Sequence, residues 1–326
     1  MKNNDEVDVN GIQTVFGATG SYGYSVIMKL LENGYKVRAV VRDEKKAADL
    51  FHGNVQIAVA DVTNGEEIPR VCKDAAVLYL GHNFPYGLWK KYYMNSILNI
   101  LKGCRGSKPL VVFPGNVYGY GKFQHLPVDE THLLNARSEK GMLRNQIESI
   151  LWSYHLKGRI NLIIPRFADF YGPNVVNELY GAMFRNAIQD KPVIWPVNAD
   201  VEHNITYIED AAQATLLMVQ NPNEYGKVFH VSGPITTARK FIEEIYYVSG
   251  NKSAIKVVSK KFIRALGIFN SNARELIELL YEYEEPYVID DTKLLKTFPH
   301  FSHTPYNVGI RRTVDWFKNK IRTPGR

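Results

Sequence analysis

Cysteine is scarce in this sequence of 326 residues, which contains only Cys72 and Cys104. Two cysteines are too few for a network of disulfides, so the small extracellular folds that depend on such networks are excluded. The contents of hydrophobic residues (45%) and charged residues (22%) are those of an ordinary globular protein. The composition therefore indicates a chain that folds around an apolar core in a reducing compartment.

Long apolar runs are missing as well. No stretch approaches the roughly 18 uninterrupted apolar residues that a membrane-spanning helix needs. Residues 1–6, MKNNDE, lack the apolar segment of a secretory signal. We therefore expect a cytoplasmic protein.

A concentration of one charge sign is absent from most of the chain. The 40 Lys and Arg residues exceed the 33 Asp and Glu residues by a net charge of +7, but the basic residues are scattered among acidic ones. The densest basic stretches, Lys252 to Arg264 and Arg311 to Arg326, show neither a stacked-aromatic nor a helix-turn-helix pattern. We expect neither nucleic acid nor a membrane as a partner.

What is present is a regular alternation of short β-branched runs with amphipathic stretches, without repeats or Gly/Ser linkers. This alternation is typical of β-α-β units and predicts an α/β fold with a doubly wound parallel sheet. A helix is predicted over Ser21 to Glu32, ending at Asn33-Gly34. The six predicted strands are Ile12 to Phe16, Lys36 to Val41, Val55 to Ala60, Ala75 to Leu80, Leu110 to Phe113 and Ile160 to Pro165.

After Gly172-Pro173 the regularity loosens. Two domains without a linker must exchange segments of chain, so we expect a nucleotide-binding domain over 11–173, with 203–232 returning to it, and a second lobe from 174–202 and 233–326. The elements predicted in this half are a helix to about Gln189, an apolar piece at Val193 to Trp195, strands at Ile205 to Ile208 and Val228 to Ser232, and helices at Asp210 to Val219 and Tyr306 to Lys318.

A glycine-rich turn joins the first predicted strand to the first predicted helix. It has the spacing G-x-x-G-x-x-G, which allows a tight turn and lets a pyrophosphate approach the backbone amides at the positive end of a helix. Strand, motif and helix in register predict a dinucleotide site. Its residues are Gly17, Thr19, Gly20, Ser21, Tyr22 and Gly23.

The end of the second strand bears on the choice of dinucleotide. Arg42 comes first and suits the 2′-phosphate of NADP, because a guanidinium can hold a phosphate bidentately. In the alternative, Arg42 is a surface residue and Asp43 binds the ribose of NAD. Asp61 and Val62 are expected beside the adenine, with a helix cap as the alternative for Asp61. Gly81 and Tyr86, at the carboxyl end of the fourth strand, are expected to face the ligand, although Tyr86 is equally well read as a covering loop aromatic.

Several separated segments resemble one family. The glycine motif is followed by Gly115-Asn116-Val117-Tyr118-Gly119 after the fifth strand, and by Arg166 to Pro173, Ile205 to Ala212 and Thr313 to Trp316. Together with Asn95, they resemble the epimerase/dehydratase branch of the extended short-chain dehydrogenases/reductases. The resemblance implies a Rossmann domain, a smaller C-terminal substrate lobe and an active site in the cleft between them.

The chain departs from the catalytic pattern of that family. Pro114 or Gly115 stands where the family has Ser or Thr, and Ser138 to Arg144 contains no tyrosine where the family has Tyr-x-x-x-Lys. At helical spacing Lys140 and Arg144 share a stripe with apolar residues, so both are expected to face inward. Lys140 is either a proton donor and acceptor with a lowered pKa or, together with Arg144, only a cofactor ligand.

Further candidates lie near the ends of the fifth and sixth strands. Asn116 can orient a carbonyl, and Tyr118 either delivers a proton or is a packed ring. Asp169 and Tyr171 are expected to line the cleft, with bracing of the loop as the alternative for Asp169. The His300 and His303 pair has no third ligand nearby, so no metal site is expected.

The sequence thus predicts an oxidoreductase, epimerase or dehydratase that uses NADP or NAD on a carbonyl or alcohol carbon of a small polar, nucleotide-linked or free, substrate. A homodimer is compatible with this reading. The alternative is a non-catalytic redox sensor or regulator that binds NAD(P), a hypothesis that rests on the missing tyrosine.

Overall fold

The computed structural model of the chain describes residues 8–322. Residues 1–6, on which the prediction of no secretory signal rests, lie outside the described residues, as does the end of the basic stretch that reaches Arg326.

Strands and helices alternate through the first half of the chain. The strands are β1 (Ile12–Phe16), β2 (Val37–Val41), β3 (Gln56–Val59), β4 (Ala75–Leu80), β5 (Leu110–Val112), β6 (Gly115–Asn116), β7 (Asn161–Phe167), β8 (Asp169–Tyr171), β9 (Ile194–Pro196), β10 (Glu202–Tyr207), β11 (Lys227–Val231), β12 (Ile235–Thr237) and β13 (Lys256–Val258).

The α-helices connect these strands and dominate the last third of the chain. They are α1 (Ser21–Glu32), α2 (Glu44–Phe51), α3 (Ile68–Cys72), α4 (Trp89–Gly103), α5 (Glu139–Leu156), α6 (Tyr180–Ile188), α7 (Ile208–Val219), α8 (Ala238–Ser249), α9 (Lys260–Phe269), α10 (Ser271–Leu276), α11 (Thr292–Thr297) and α12 (Tyr306–Arg322).

The chain divides into two compact units. The first comprises residues 1–115, 143–166 and 211–229, and the second comprises 116–142, 167–210 and 230–326. The chain thus passes repeatedly from one unit to the other. These bounds differ from the expected domains, because 116–142, 167–173, 203–210 and 230–232 belong to the second unit.

The first unit is built on a sheet with the strand order β11-β7-β5-β4-β1-β2-β3. The pairs from β7 to β3 are all parallel, with Val15 opposite Ala39 and Tyr79 in the neighbouring strands. Strand β2 is buried along its whole length, as expected of a central strand covered by helices on both faces. The predicted doubly wound, Rossmann-like fold is therefore confirmed.

The second unit has its own apolar core. A three-stranded sheet, β12-β10-β8, and a two-stranded sheet, β13-β9, support it. Helices α6, α8 and α12 pack against one another, and the fully buried Trp195, Phe184 and Phe241 fill the space between elements. In the described part of the chain, no helix combines the length and the apolar character needed to cross a bilayer.

Candidate functional site

The glycine-rich turn lies where β1 ends and α1 begins, in the first unit. Gly17 has a positive φ of 69°, and a Cβ atom there would approach the carbonyl oxygen of Gly81 to 2.6 Å. A Cβ atom on Gly23 would overlap the carbonyl oxygen of Gly17. The turn therefore requires glycine at both positions, and it packs directly on the end of β4.

The N-terminus of α1 is suited to an anion. Its capping residue, Gly20, has no side chain to bond the first amides, and the first turn contains no acidic residue. The helix dipole and the amides of that turn therefore favour a phosphate. Thr19 and Ser21, on either side of the exposed Gly20, are half-buried.

Tyr22 contributes its backbone to this turn, but its side chain points into the protein. The ring is buried, and its hydroxyl lies 3.0 Å from Thr215 Oγ1. Burial raises the pKa of Tyr22 well above its usual value. The phenol is therefore a packing group that ties α1 to α7 within the first unit.

The ends of β2 and β3 carry the groups predicted for the adenosine half. Arg42 is exposed directly after β2, whereas the Asp43 carboxylate caps α2 by accepting a hydrogen bond from Lys46 N at 2.9 Å. Asp61 caps a turn rather than a helix, since both the amide and the hydroxyl of Thr63 donate to it at 2.8 Å.

Burial alone would raise the pKa of Asp61. The Thr63 hydrogen bonds and the charge of Arg42 outweigh that effect and lower the pKa. Val62 is half-buried, and its carbonyl accepts a hydrogen bond from Asn99. Arg42 and Asp61 thus lie close enough at one end of the sheet for the positive charge of Arg42 to stabilise the Asp61 carboxylate.

The loop after β4 holds a residue that the sequence reading passed over. His82 is buried among the rings of Phe16, Phe84 and Tyr93. Its Nε2 lies 2.9 Å from Ser96 Oγ, which donates its only hydrogen to the Tyr93 carbonyl oxygen at 2.7 Å. His82 Nε2 must therefore carry a proton, and its Nδ1 is left as an acceptor with no partner among the described residues.

The charge state of His82 follows from its surroundings. Burial, reinforced by the positive charge of Arg144, lowers the pKa of His82 to about 3. The imidazole is therefore neutral at physiological pH. A histidine in a loop gives no sequence signal for this environment, because the aromatic rings around it come from three different elements. Tyr86, the residue predicted in this loop, is half-buried and packs edge-to-face on Trp89.

Arg144 is buried, as predicted, but its guanidinium donates hydrogen bonds to other groups of the protein. Nη1 donates to the Tyr93 hydroxyl at 2.5 Å, and Nη2 donates to the Pro114 carbonyl oxygen. The guanidinium also lies 4.4 Å from the centre of the Phe113 ring. Arg144 was expected to bind the ribose or a substrate phosphate. In the structure, its guanidinium is already hydrogen-bonded to groups of the first unit.

Lys140 is also buried, in agreement with its predicted inward orientation, and lies in the second unit. Its Nζ atom forms ion pairs with Glu275 and Glu278, both at 2.6 Å. These carboxylates lie 135 and 138 residues further along the chain, so no local pattern could have identified them.

Asn116 ends β6 and precedes a short 3-10 segment of the second unit, Val117–Tyr120, which contains Tyr118. The Asn116 side chain caps this Val117–Tyr120 segment by accepting a hydrogen bond from Tyr118 N at 3.3 Å. Tyr118 is largely buried. The amide is thus used locally, and the phenol is packed.

Asp169 and Tyr171 were expected to line the cleft after the sixth strand. They instead form β8, paired in parallel with β10, and Tyr171 is fully buried in the core of the second unit. In this structure the Tyr171 ring therefore cannot contact a substrate. The sequence missed β8 because a three-residue strand has too little periodicity to detect.

Asp169 faces a buried acid of the same unit. Burial raises the pKa of Asp169 to about 6, although hydrogen bonds with Tyr180 and Tyr283 oppose the rise. Burial and the charge of Asp169 raise the pKa of Glu282 as well. Both residues border a cavity of about 10 Å³, which has room for about one water molecule. No group of three or more His, Cys, Asp or Glu side chains suited to a metal occurs in residues 8–322.

Comparison with known proteins agrees with the architecture. Residues 14–232 match the sequence profile of the NAD dependent epimerase/dehydratase family. A Methanocaldococcus jannaschii protein, provisionally named UDP-glucose 4-epimerase, is 21% identical over 95% of this chain and 99% of its own length.

Solved structures share the fold at low sequence identity. Thermotoga maritima UDP-glucose 4-epimerase, solved with UDP-glucose, superimposes with a TM-score of 0.79 at 17% identity, covering 95% of this chain and 99% of that one. Bacillus anthracis dTDP-glucose 4,6-dehydratase, solved with NAD, gives 0.78 at 17% identity over 95% and 97%. Bacillus cereus UDP-glucuronic acid 4-epimerase, also with NAD, gives 0.76 at 18% over 94% and 99%.

Proposed function

The chain belongs to the NAD dependent epimerase/dehydratase family, and from this premise we propose that it acts, by hydride transfer, on an alcohol or carbonyl carbon of a nucleotide-linked sugar or a similar small polar substrate. One observation carries the proposal. The Gly17 to Gly23 turn has no room for a Cβ atom at Gly17 or Gly23, and it leads into a helix whose first turn has no acidic residue. A bound nicotinamide dinucleotide supplies the redox chemistry at such a site.

The residues of the first unit fit each part of a dinucleotide. The backbone from Gly17 to Gly23 would hold the pyrophosphate, with Thr19 and Ser21 beside it. Asp61 and Val62 would border the adenine, and Gly81 would lie towards the nicotinamide half. These positions lie after the carboxyl ends of β1, β3 and β4 or in the first turn of α1.

For the choice of dinucleotide we propose NADP. Arg42 is exposed at the end of β2, and the Asp43 carboxylate is already used to cap α2. A guanidinium in that place favours a 2′-phosphate over a free ribose hydroxyl. NAD is the competing choice, because the solved epimerases and dehydratase from the two Bacillus species contain NAD.

Nucleotide-linked sugars are proposed as substrates on the strength of the relatives. The proteins of similar sequence or fold are named for reactions on UDP-glucose, UDP-glucuronic acid and dTDP-glucose. These relatives are named for different sugars, so the proposal names the class of substrate and no particular sugar. The proposed reaction is an epimerisation, a dehydration or a reduction.

For proton transfer we propose a relay drawn from Lys140, Tyr118 and Asn116 in place of the family's tyrosine and lysine. Lys140 Nζ lies 2.6 Å from a carboxylate oxygen of Glu275 and 2.6 Å from one of Glu278, so hydrogen bonds along which a proton can be passed are in place. Arg144 is proposed as a positioning residue that fixes Tyr93 and the Pro114 carbonyl in the first unit.

Two measurements test the proposal in sequence. Titration of the purified chain with NADP and with NAD, followed by calorimetry, should show saturable binding of at least one of them. A screen of sugar nucleotides and carbonyl compounds should then show turnover, either as a change in reduced-nicotinamide absorbance or, for epimerisation without net redox change, as a new sugar signal by NMR.

The outcomes separate the competing functions. No saturable binding of either dinucleotide would exclude the oxidoreductase and the epimerase alike. Binding without turnover, combined with dinucleotide-dependent capture of a protein partner, would favour a non-catalytic redox sensor.

A further inference from the structure

Helix α9 of the second unit leaves an apolar stripe uncovered. Phe262, Leu266 and Phe269 are 57%, 43% and 90% exposed. Their spacing of four and three residues places them on one side of the helix. Only Ile263 and Gly267 of α9 are buried, so the helix contacts the rest of the unit along a narrow line.

The segment of sequence that contains this stripe carries charge of one sign. Residues 251–274 include six Lys and Arg residues and no Asp or Glu. Lys252, Lys256, Lys261 and Arg264 are exposed. At 100° per residue, Lys261 lies to one side of the three apolar side chains and Arg264 lies almost opposite them, with the exposed Ile268 between the two. The helix therefore has one exposed flank that is apolar and a second that carries two cationic side chains and Ile268.

Contacts within the chain also stabilise the conformation of α9 without a partner. The Ser259 side chain caps its start by accepting a hydrogen bond from Phe262 N. At its end, Arg274 donates to the carbonyl oxygens of Gly267 and Ile268. Lys260 forms an ion pair with Glu284 at 2.5 Å. A partner would therefore meet a preformed surface and would not have to order it.

We propose that α9 docks the protein on the surface of an anionic bilayer, with Phe262, Leu266 and Phe269 in the interface and the basic residues near the lipid phosphates. A surface that offers apolar groups beside negative charge matches both flanks of the helix, and short basic amphipathic helices bind membranes in this way. A second copy of the chain fits less well, because a two-fold contact through α9 would bring equal positive charges together. This interaction differs from the expectation, based on sequence, of no membrane partner.

The test is co-sedimentation of the whole chain with vesicles. We expect binding to vesicles of phosphatidylcholine mixed with phosphatidylglycerol, weak binding to phosphatidylcholine alone, and release by added salt. The triple variant Phe262→Ser/Leu266→Ser/Phe269→Ser should bind about tenfold more weakly, and Lys261→Gln/Arg264→Gln should lose most of the preference for anionic lipid. Leu156→Ser, at an exposed apolar position outside α9, is the matched control and should bind as the wild type does.

Other results would overturn the proposal. Failure of the wild-type chain to sediment with anionic vesicles would do so, as would equal binding of the triple variant and the wild type. If light scattering showed a dimer that the triple variant converts to a monomer, the partner would be a second copy. Dinucleotide affinity, measured on the same preparations, reports on the proposed function separately and on whether each variant is folded.

Discussion

The Arg144 guanidinium donates a hydrogen bond to the Tyr93 hydroxyl at 2.5 Å while lying 4.4 Å from the centre of the Phe113 ring. It thereby joins α5 to α4 and to the chain after β5 inside the first unit. In the sequence, this arginine ends the segment Ser138 to Arg144, which contains no tyrosine where the resembled family has its Tyr-x-x-x-Lys pattern. The structure gives Nη1 and Nη2 hydrogen bonds within the protein, whereas the buried Nε has no partner among the described residues.

Replacement of Arg144 should therefore act on stability. Arg144→Met removes the donor to the Pro114 carbonyl and to Tyr93 and should lower the free energy of unfolding by about 2–3 kcal/mol, because buried acceptors are left unpaired. Tyr93→Phe should cost about 1 kcal/mol. Urea denaturation measures both. Wild-type stability of Arg144→Met, combined with a large loss of dinucleotide affinity, would instead show that Arg144 is a ligand-binding residue.

Alanine substitutions at Gly17 and Gly34 should distinguish the effect of lack of space from the effect of backbone strain. Gly17 and Gly34 both have positive φ, 69° and 75°, but a Cβ atom at Gly34 has no neighbour within 4 Å. Gly34→Ala should cost about 1 kcal/mol of stability and leave dinucleotide binding unchanged. Gly17→Ala should abolish saturable binding in calorimetry, since its methyl group pushes the turn away from β4. Equal binding by both variants would contradict the proposed site.

Arg42 should discriminate between the two dinucleotides. Arg42→Ala should weaken NADP binding by about tenfold or more and leave NAD binding nearly unchanged, because only NADP carries the 2′-phosphate. Lys45→Ala removes an equal charge from the neighbouring exposed surface and serves as the control. An equal loss for NAD and NADP with Arg42→Ala would indicate that the guanidinium binds a part common to both.

How much the sequence predicted depended on how local each signal was. Strand β1 and helix α1 were predicted with their observed bounds, because Ile12 to Phe16 and Ser21 to Glu32 carry complete periodic patterns. The sixth predicted strand stopped at Pro165, whereas β7 continues to Phe167. Proline usually marks a strand end, but here the next residues remain paired in the sheet.

The candidate site was predictable only where its residues adjoin in sequence. The turn from Gly17 to Gly23 is such a place. The ion pairs of Lys140 involve Glu275 and Glu278, which are distant in sequence and approach it only in the folded chain. The same holds for His82, whose neutral state results from packing that no pattern of residues along the chain records.

The role of Lys140, proton transfer or ion pairing alone, can be determined by comparing two substitutions. Lys140→Ala should abolish turnover while leaving NADP affinity largely intact. Lys140→Arg can keep the ion pairs with Glu275 and Glu278, but a guanidinium does not release a proton near neutral pH. If Lys140 takes part in proton transfer, turnover should remain lost in Lys140→Arg. Recovery of turnover with arginine would show that the ion pairs matter and that the proton does not come from Lys140.

Asp169 should make stability depend on pH. Its pKa is raised from 3.8 to about 6 in the folded protein, chiefly by burial. As the pH rises from about 4 to about 6, the unfolded chain releases this proton while the folded chain retains it, so the free energy of unfolding falls. The shift of about two pKa units corresponds to about 3 kcal/mol.

Asp169→Asn removes that titration and can still accept a hydrogen bond from Tyr180. Relative to the wild type, the variant should gain up to about 3 kcal/mol of stability between pH 4 and pH 6 and little beyond. Urea denaturation of both proteins across this range measures the difference. In the control Asp200→Asn no such gain is expected, because the hydrogen bond from Arg239 lowers the pKa of Asp200, whereas burial raises that of Asp169. A stability difference between Asp169→Asn and the wild type that stays constant with pH would mean that folding does not raise the pKa of Asp169.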